Sequence, residues 1–306
     1  MSDIRIGISG WRYPPWRGDF YPRGLAQKHE LRFASRAVRS IEINGSFYAL
    51  QTPQRYASWY ADTPAGFVFS VKAPRFITHI RRLREVETPV ANFFASGVLG
   101  LKDKLGPILW QFPPSFKFAP ELFEHFLGLL PHTSDAARDT AAHCSSELRK
   151  PGYLDHAPQR ALRHAVEIRN PSFVDPAFVA LLRRFRVALV VADTAGKWPY
   201  AEDLTSDFLY LRLHGDVELY ASGYDETALT RWQQRIEAWT QGREPADATL
   251  ISEARDRPLG CRDLYCYFDN DIKVRAPYDA RRLLEKLGLA EDLETVPGQE
   301  APRDAS

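Results

Sequence analysis

Polar residues able to do chemistry recur where apolar runs end. Glu42 and Asn44 close the run Ser40–Asn44, Lys72 closes Gly66–Lys72, and Gln111 falls at the end of Pro107–Phe112. Glu167 and Arg169 finish His164–Arg169, and Asp193 finishes Val187–Asp193. Arg212, His214 and Gly215 finish Phe208–Gly215, while Asp269, followed by Asn270, ends Leu264–Asp269. Paired carboxylates suit general acid–base work, an imidazole a second proton transfer, and lysine or arginine the binding of an anion. Glu167 is therefore the candidate acid or base, Glu42 its counterpart and His214 the second proton carrier. Lys72, Arg169 and Arg212 would hold an anion. Trp11 would stack on a ring, with Tyr13 and Tyr48 at the same rim.

These residues need a scaffold that brings strand ends together. In Phe208–Gly215, Leu209, Leu211 and Leu213 occupy one register and Tyr210, Arg212 and His214 the other. Successive strand side chains point to opposite faces, so one face is apolar and the other becomes charged as the chain advances. With Ile4–Gly10 the runs make eight strand candidates. Helical patterns cover Leu31–Val38, Gln54–Ala61, Val90–Leu105, Pro120–Leu130, Asp175–Arg184, Thr227–Thr240 and Asp279–Leu287, with Thr52-Pro53 and Thr88-Pro89 as caps. Only the gap after the sixth strand is too short for more than a turn or small helix.

This alternation predicts an α/β fold with a parallel sheet, a single (β/α)8 TIM-type barrel over residues 1–289. An open doubly wound sheet would make central strands apolar in both registers, and no dinucleotide fingerprint accompanies Gly7 and Gly10. Inward residues would then converge on one mouth, Ser9 among them, with Glu42 beside Lys72 and Asp193 beside Arg169 or Arg212. Residues 131–163 form a long insertion before the fifth strand. Residues 290–306 read as a disordered tail.

Net charge of +1 argues against a bulk nucleic-acid coat or a polybasic anchor. No apolar run reaches the ~18 residues of a membrane helix, so no membrane partner is expected. Three cysteines without metal spacing read as free thiols of a reducing compartment, and the expected location is cytoplasmic.

Several islands carry a resemblance: Gly10-Trp11-Arg-Tyr13-Pro-Pro-Trp16, Glu42-Ile-Asn44-Gly-Ser-Phe47-Tyr48, Phe67-Val-Phe69-Ser-Val-Lys72 and Ile77-Thr-His79. Leu105-Gly-Pro107-Ile-Leu-Trp-Gln111-Phe-Pro-Pro114, Val166-Glu-Ile-Arg169 and Tyr210-Leu-Arg212-Leu-His214-Gly215 continue it. As a set they resemble the YecE-like family, TIM-barrel-like proteins whose biochemical function is not established. The resemblance implies the barrel from first strand to last and carries no activity. Phe268-Asp269-Asn270 stands where the family usually has Phe-Asn-Asn, adding a charge at the mouth.

The expected function is that of an enzyme, a hydrolase in the first instance, acting on an anionic, ring-containing small molecule or nucleotide-like group. It would need no cofactor and no metal. A non-catalytic binding protein is the alternative, with nucleic acid or a phosphorylated metabolite as partner along Arg75, His79, Arg81, Arg82 and Arg84. A divalent ion held by Glu167, Asp193, His214 and Asp269 is a further alternative. The bland reading is a ring of ion pairs filling the barrel. An anion site between Arg212 and the loop after Gly215 would use backbone amides as well.

Overall fold

The computed structural model describes residues 2–146, 148, 159–216, 219–220, 222–252, 260–270 and 273–298. Eight strands, β1 (Ile4–Ser9), β2 (Ser40–Ile43), β3 (Val68–Lys72), β4 (Leu105–Gln111), β5 (His164–Glu167), β6 (Ala188–Asp193), β7 (Phe208–Leu213) and β8 (Asp263–Phe268), pair in chain order. Every pairing is parallel, and β8 returns to β1, so the sheet closes. Pairing stops one or two residues short of most of the expected ends. Gly10, Asn44, Arg169, His214 and Gly215 consequently sit on the first residues of the loops.

Alternation divides the core into two layers. Ile6, Ile8, Ile41, Ile43, Phe69, Val71, Trp110, Val166, Leu211 and Cys266 pack outward against the helices. Leu109, Ala165, Val190, Phe208, Tyr210, Tyr265 and Tyr267 fill the barrel interior. The tyrosines are held by hydroxyl contacts, Tyr210 to Ser70 at 2.6 Å and Tyr267 to Ser40 at 2.8 Å. Pro107 inside β4 cannot donate to the ladder, and the register shifts there, between Phe69 and Val71 on β3, as a bulge permits.

The helices are α1 (Glu30–Ala37), α2 (Gly45–Tyr48), α3 (Pro53–Asp62), α4 (Glu87–Ala95), α5 (Pro120–Gly128), α6 (Ser134–Ala141), α7 (Pro176–Arg184), α8 (Glu226–Thr240) and α9 (Arg275–Lys286). Thr52 caps α3 as expected, its hydroxyl accepting from Arg55 N. The single helix expected over Val90–Leu105 is instead broken. It starts at Glu87 behind Val86, placing Pro89 in the first turn, where a missing N–H costs no helical bond. It stops before Gly97, whose φ of 102° is left-handed; a Cβ there would lie 2.8 Å from Pro53 Cα. Val98–Lys104 follow as short 3-10 turns broken by a kink at Lys102. Residues 194–207, after β6, form no helix.

Of the insertion, α6 packs against α4, and residues 147 and 149–158 lie outside the described residues. The tail expected to be disordered from residue 290 is ordered as far as Gly298. Thr295 is buried with its hydroxyl on Phe33 O, Leu293 packs against the core, and Gly298 N reaches Phe20 O. Thr295, whose N–H also reaches Arg36 O, and Glu294, which accepts from Arg36 Nε at 3.0 Å, dock this stretch on α1. Residues 299–306 lie outside the described residues. Among the described residues no helix is long and apolar enough to cross a membrane.

One modest test of local structure concerns α8. Asp225 Oδ1 accepts from Ala228 N at 2.8 Å at its start, so Asp225→Ala should cost about 1 kcal/mol in denaturant unfolding.

Candidate functional site at the barrel mouth

Ser9, Glu42, Lys72, Gln111, Glu167 and Arg212 are the last inward-facing residues of their strands, and His214 and Asp269 continue the same register. Their convergence on Arg212 dominates the geometry. Arg212 Nε donates to Glu42 Oε2 at 3.1 Å, Nη1 to Glu167 Oε2 at 2.7 Å, and Nη2 to Glu42 Oε1 at 2.9 Å and Asp269 Oδ2 at 2.6 Å. Nη2 also lies 3.2 Å from Ser9 Oγ. Tyr210 supports the knot from below, its hydroxyl donating to Glu42 Oε2 at 2.6 Å, and Ser9 Oγ donates to Glu42 Oε1 at 2.6 Å. Arg212, Glu42 and Glu167 are completely buried. A buried charge persists only when matched, and this guanidinium has spent its donors on three carboxylates.

The three candidate proton-transfer groups are thus brought together, around an arginine rather than around open space. Burial alone would raise the pKa of Glu167, but Arg169 and Arg212 carry it well below the carboxylate range. Asp269 behaves alike, with Arg212 outweighing burial. Both remain ionised at any physiological pH. His214 is buried, and burial together with Arg212 lowers its pKa. Its Nε2 faces Arg212 Nη1 at 3.4 Å, which leaves Nδ1 to carry the proton. Nδ1 lies 3.1 Å from Asp269 Oδ2 but out of line for a hydrogen bond.

Lys72 departs from expectation. Glu42 is its neighbour across β2 and β3, yet Glu42 is taken by Arg212, and Lys72 makes no hydrogen bond or ion pair among the described residues. Its ammonium instead sits 4.3 Å from the centre of the Phe47 ring. Burial and Arg212 bring its pKa down to about 8, against the pull of Glu42, Glu167 and Asp269. Gln111 is 4% exposed and its amide also lacks a partner among the described residues. Arg169 uses Nε on Glu167 Oε1 at 2.7 Å and stacks 3.7 Å over Trp198; its terminal nitrogens have no acceptor among the described residues.

Two loop residues complete the mouth. Trp198 comes from the helix-less loop after β6, and an aromatic in that short gap was the only available signal. His79, expected in a basic stretch, comes from a π-helical turn at Phe76–Ile80 and is not a cation. Burial, with Lys72, Arg75 and Arg169 near it, takes its pKa down to about 4, so it is a neutral imidazole. Its ring stands edge-on to Phe47 at 5.0 Å, and Nδ1 contacts Thr78 Oγ1 at 2.8 Å.

Other candidates fall elsewhere. Asp193 follows Val191 and Leu189 in the outward register, so Ala192, not Asp193, is the β6 residue opposite Arg212. Asp193 accepts instead from the Tyr224 hydroxyl at 3.1 Å. That hydroxyl also receives Gly215 N at 3.1 Å. The anion site expected between Arg212 and Gly215 therefore has neither a spare guanidinium donor nor that amide. Asn270 is buried away from the knot, donating to Ser222 O and Asp279 Oδ2, both at 2.9 Å. It fastens the end of β8 to α9. Phe112 and Phe173 seal an aromatic cluster with Phe123 and Phe178.

Beside the mouth lies a groove of about 600 Å³, lined by Trp11, Tyr13, Asn44, Tyr48, Arg55 and Trp59 among others. Asn44 ties it to the knot through Nδ2 and Ser9 Oγ at 2.9 Å. Trp11 is buried, edge-on to Trp59 at 5.4 Å, which leaves it little free face for stacking. Tyr13 donates to Ser9 O at 2.6 Å. Tyr48, 72% exposed, is the ring that remains open.

Closed parallel strands, a helical jacket and polar residues gathered at the C-terminal strand ends define a TIM-type barrel. The chain belongs to the family described as protein of unknown function DUF72, which it matches over residues 5–304. It is similar to the UPF0759 protein YunF of Bacillus subtilis, 31% identical over 121 residues, 37% of this chain and 41% of that protein. The UPF0759 protein YecE of Escherichia coli K12 is 30% identical over 130 residues, 42% of this chain and 44% of its own length. The chain thus spans less than half the length of these curated relatives. Among solved structures, a DUF72 family protein from Thermotoga maritima superposes with a TM-score of 0.68 at 22% identity, covering 94% of this chain and 99% of that one. One from Enterococcus faecalis gives 0.66 at 15%, covering 98% and 100%. These likenesses show the fold.

Proposed function

We propose that the mouth binds an anionic, ring-containing small molecule and that the protein acts on it there as an enzyme. Lys72 supports this reading most directly. A lysine half-buried among charges, with no partner, is costly to keep unless something arrives to match it. Arg169, with its terminal nitrogens unused, offers a forked contact to the same anion, and Gln111 and neutral His79 offer polar ones. The ring would lie toward Tyr48 and the adjoining groove. Glu42, Glu167 and His214 serve in this reading to hold Arg212 and to set the field under Lys72. Proton exchange then falls to Lys72 and His79, the titratable groups not committed to the knot.

The two alternatives have weaker support. For nucleic acid, the basic stretch after β3 is partly spent: Arg81 pairs with Glu85, and Arg82 donates to Ser115. A divalent ion would lose Asp193 to the outer face and find Arg212 between the remaining carboxylates.

Thermal melts at constant ionic strength test the reading. Phosphate and adenosine monophosphate should each raise the wild-type midpoint, and Lys72→Gln should remove most of the gain. Equal responses in wild type and variant would refute the site. A response that collapses steeply with salt and grows with oligonucleotide length would favour nucleic acid instead.

A further inference from the structure

We propose that Lys72 is a nucleophile that condenses with the carbonyl of a small anionic aldehyde or ketone, forming an imine at the barrel mouth. The inference rests on the anion-binding reading above and gives its substrate a chemical class. Four observations on position carry it. Lys72 ends β3 in the inward register, so the rigid sheet aims its amine into the mouth. The carboxylates that would otherwise clamp it are held elsewhere: Glu42 by Arg212, Ser9 and Tyr210, Glu167 by Arg212 and Arg169, and Asp269 by Arg212. Its ammonium has no hydrogen-bond acceptor among the described residues and lies 4.3 Å from the centre of the Phe47 ring, which imposes no hydrogen-bond geometry at nitrogen. Arg169 stands in the same mouth with unused donors, able to hold the anionic end while the carbonyl meets the amine.

The groups facing Lys72 are Glu42 on β2, Glu167 at the end of β5, Arg212 on β7, Asp269 after β8 and, from the turn after β3, His79. Arg212 and burial favour the free amine and the carboxylates oppose them; the balance leaves an amine that loses its proton close to neutrality. Nucleophilic lysines are activated in this way, by desolvation and a neighbouring cation.

The step balances without a further reactant. The Nζ lone pair adds to the carbonyl carbon, forming a C–N bond and a carbinolamine. The carbonyl oxygen then leaves as water with the two amine protons, and the C=N bond forms. Protonated at nitrogen, the imine keeps a positive charge where the ammonium was, so the charge balance with the three carboxylates is preserved.

Glyoxylate with sodium cyanoborohydride on the full chain tests this by trapping the imine as a secondary amine, located by peptide mass spectrometry. At pH 7.5, Lys72 should be labelled at least tenfold faster than any other lysine, with a rate that rises through about pH 8. Lys72→Arg should lose that label, and Arg169→Gln should slow it for glyoxylate but not for the neutral aldehyde acetaldehyde. Stabilisation by phosphate without preferential labelling of Lys72 would overturn the imine and leave the anion site standing. Absence of both would overturn the two together.

Discussion

Arg212→Gln should destabilise the barrel at neutral pH by about 3–5 kcal/mol, the range for stripping one partner from a buried ion pair. The loss is large because one guanidinium answers Glu42, Glu167 and Asp269 at once, and glutamine leaves their charges facing one another in a dry interior. The pH dependence has a definite sign. Glu167 and Asp269 have folded pKa values below their unfolded ones, so their contribution is present above the unfolded value, near 4, and is lost as pH falls below it. In the variant the same carboxylates lose their cation and take up protons more readily. The gap between wild type and variant in urea unfolding should therefore be full at pH 7 and narrow toward pH 4. Arg212→Lys should recover only part of the loss, since one ammonium cannot span three carboxylates. A variant within 1 kcal/mol of wild type at pH 7 would show that the knot holds little of the fold.

Lys72→Met should act in the opposite direction and raise stability at pH 7 by about 1–3 kcal/mol, after allowance for partial exposure. Its folded pKa of about 8 lies below the unfolded value near 10.4, so folding must work against the bound proton. That cost is full below pH 8, declines as pH rises toward 10.4 and is gone above it. The gain from methionine should follow the same course, and Lys72→Arg, which keeps the charge, should show none. Loss of the phosphate response together with a gain in stability would mark Lys72 as a residue retained for binding rather than folding. Destabilisation by methionine would instead make it part of the structural knot.

Much of the architecture can be read from alternation alone. Leu209, Leu211 and Leu213 against Tyr210, Arg212 and His214 define two faces whatever the neighbours are, because the period of a strand is local. Repetition of that pattern with charge at the run ends was enough for the barrel and for the mouth. It also placed Glu42, Lys72, Gln111, Glu167, Arg212 and Asp269 correctly, since each keeps its strand's inward parity. Asp193 failed because a run's last residue is not always inward; parity must be counted from Val191, which makes Ala192 the inward residue paired with Arg212. The break at Gly97 and the docking of Thr295 depend on contacts with Pro53 and Phe33, distant in the chain, and left no periodic trace.

Pairing was the tertiary structure's decision. Strand adjacency put Glu42 beside Lys72, but the barrel is narrow and an arginine long, so Arg212 reaches across it from β7 to claim Glu42, Glu167 and Asp269 together. Trp198 and His79 enter from loops, whose paths no periodicity records. The sequence by itself determined which strand residues share the mouth, Asp193 excepted, because register is set by nearest neighbours. Which cation is saturated and which is left over, Arg212 or Lys72, was settled only when closure brought Ser9, Glu42, Glu167 and Asp269, from four other strand ends, within reach of Arg212.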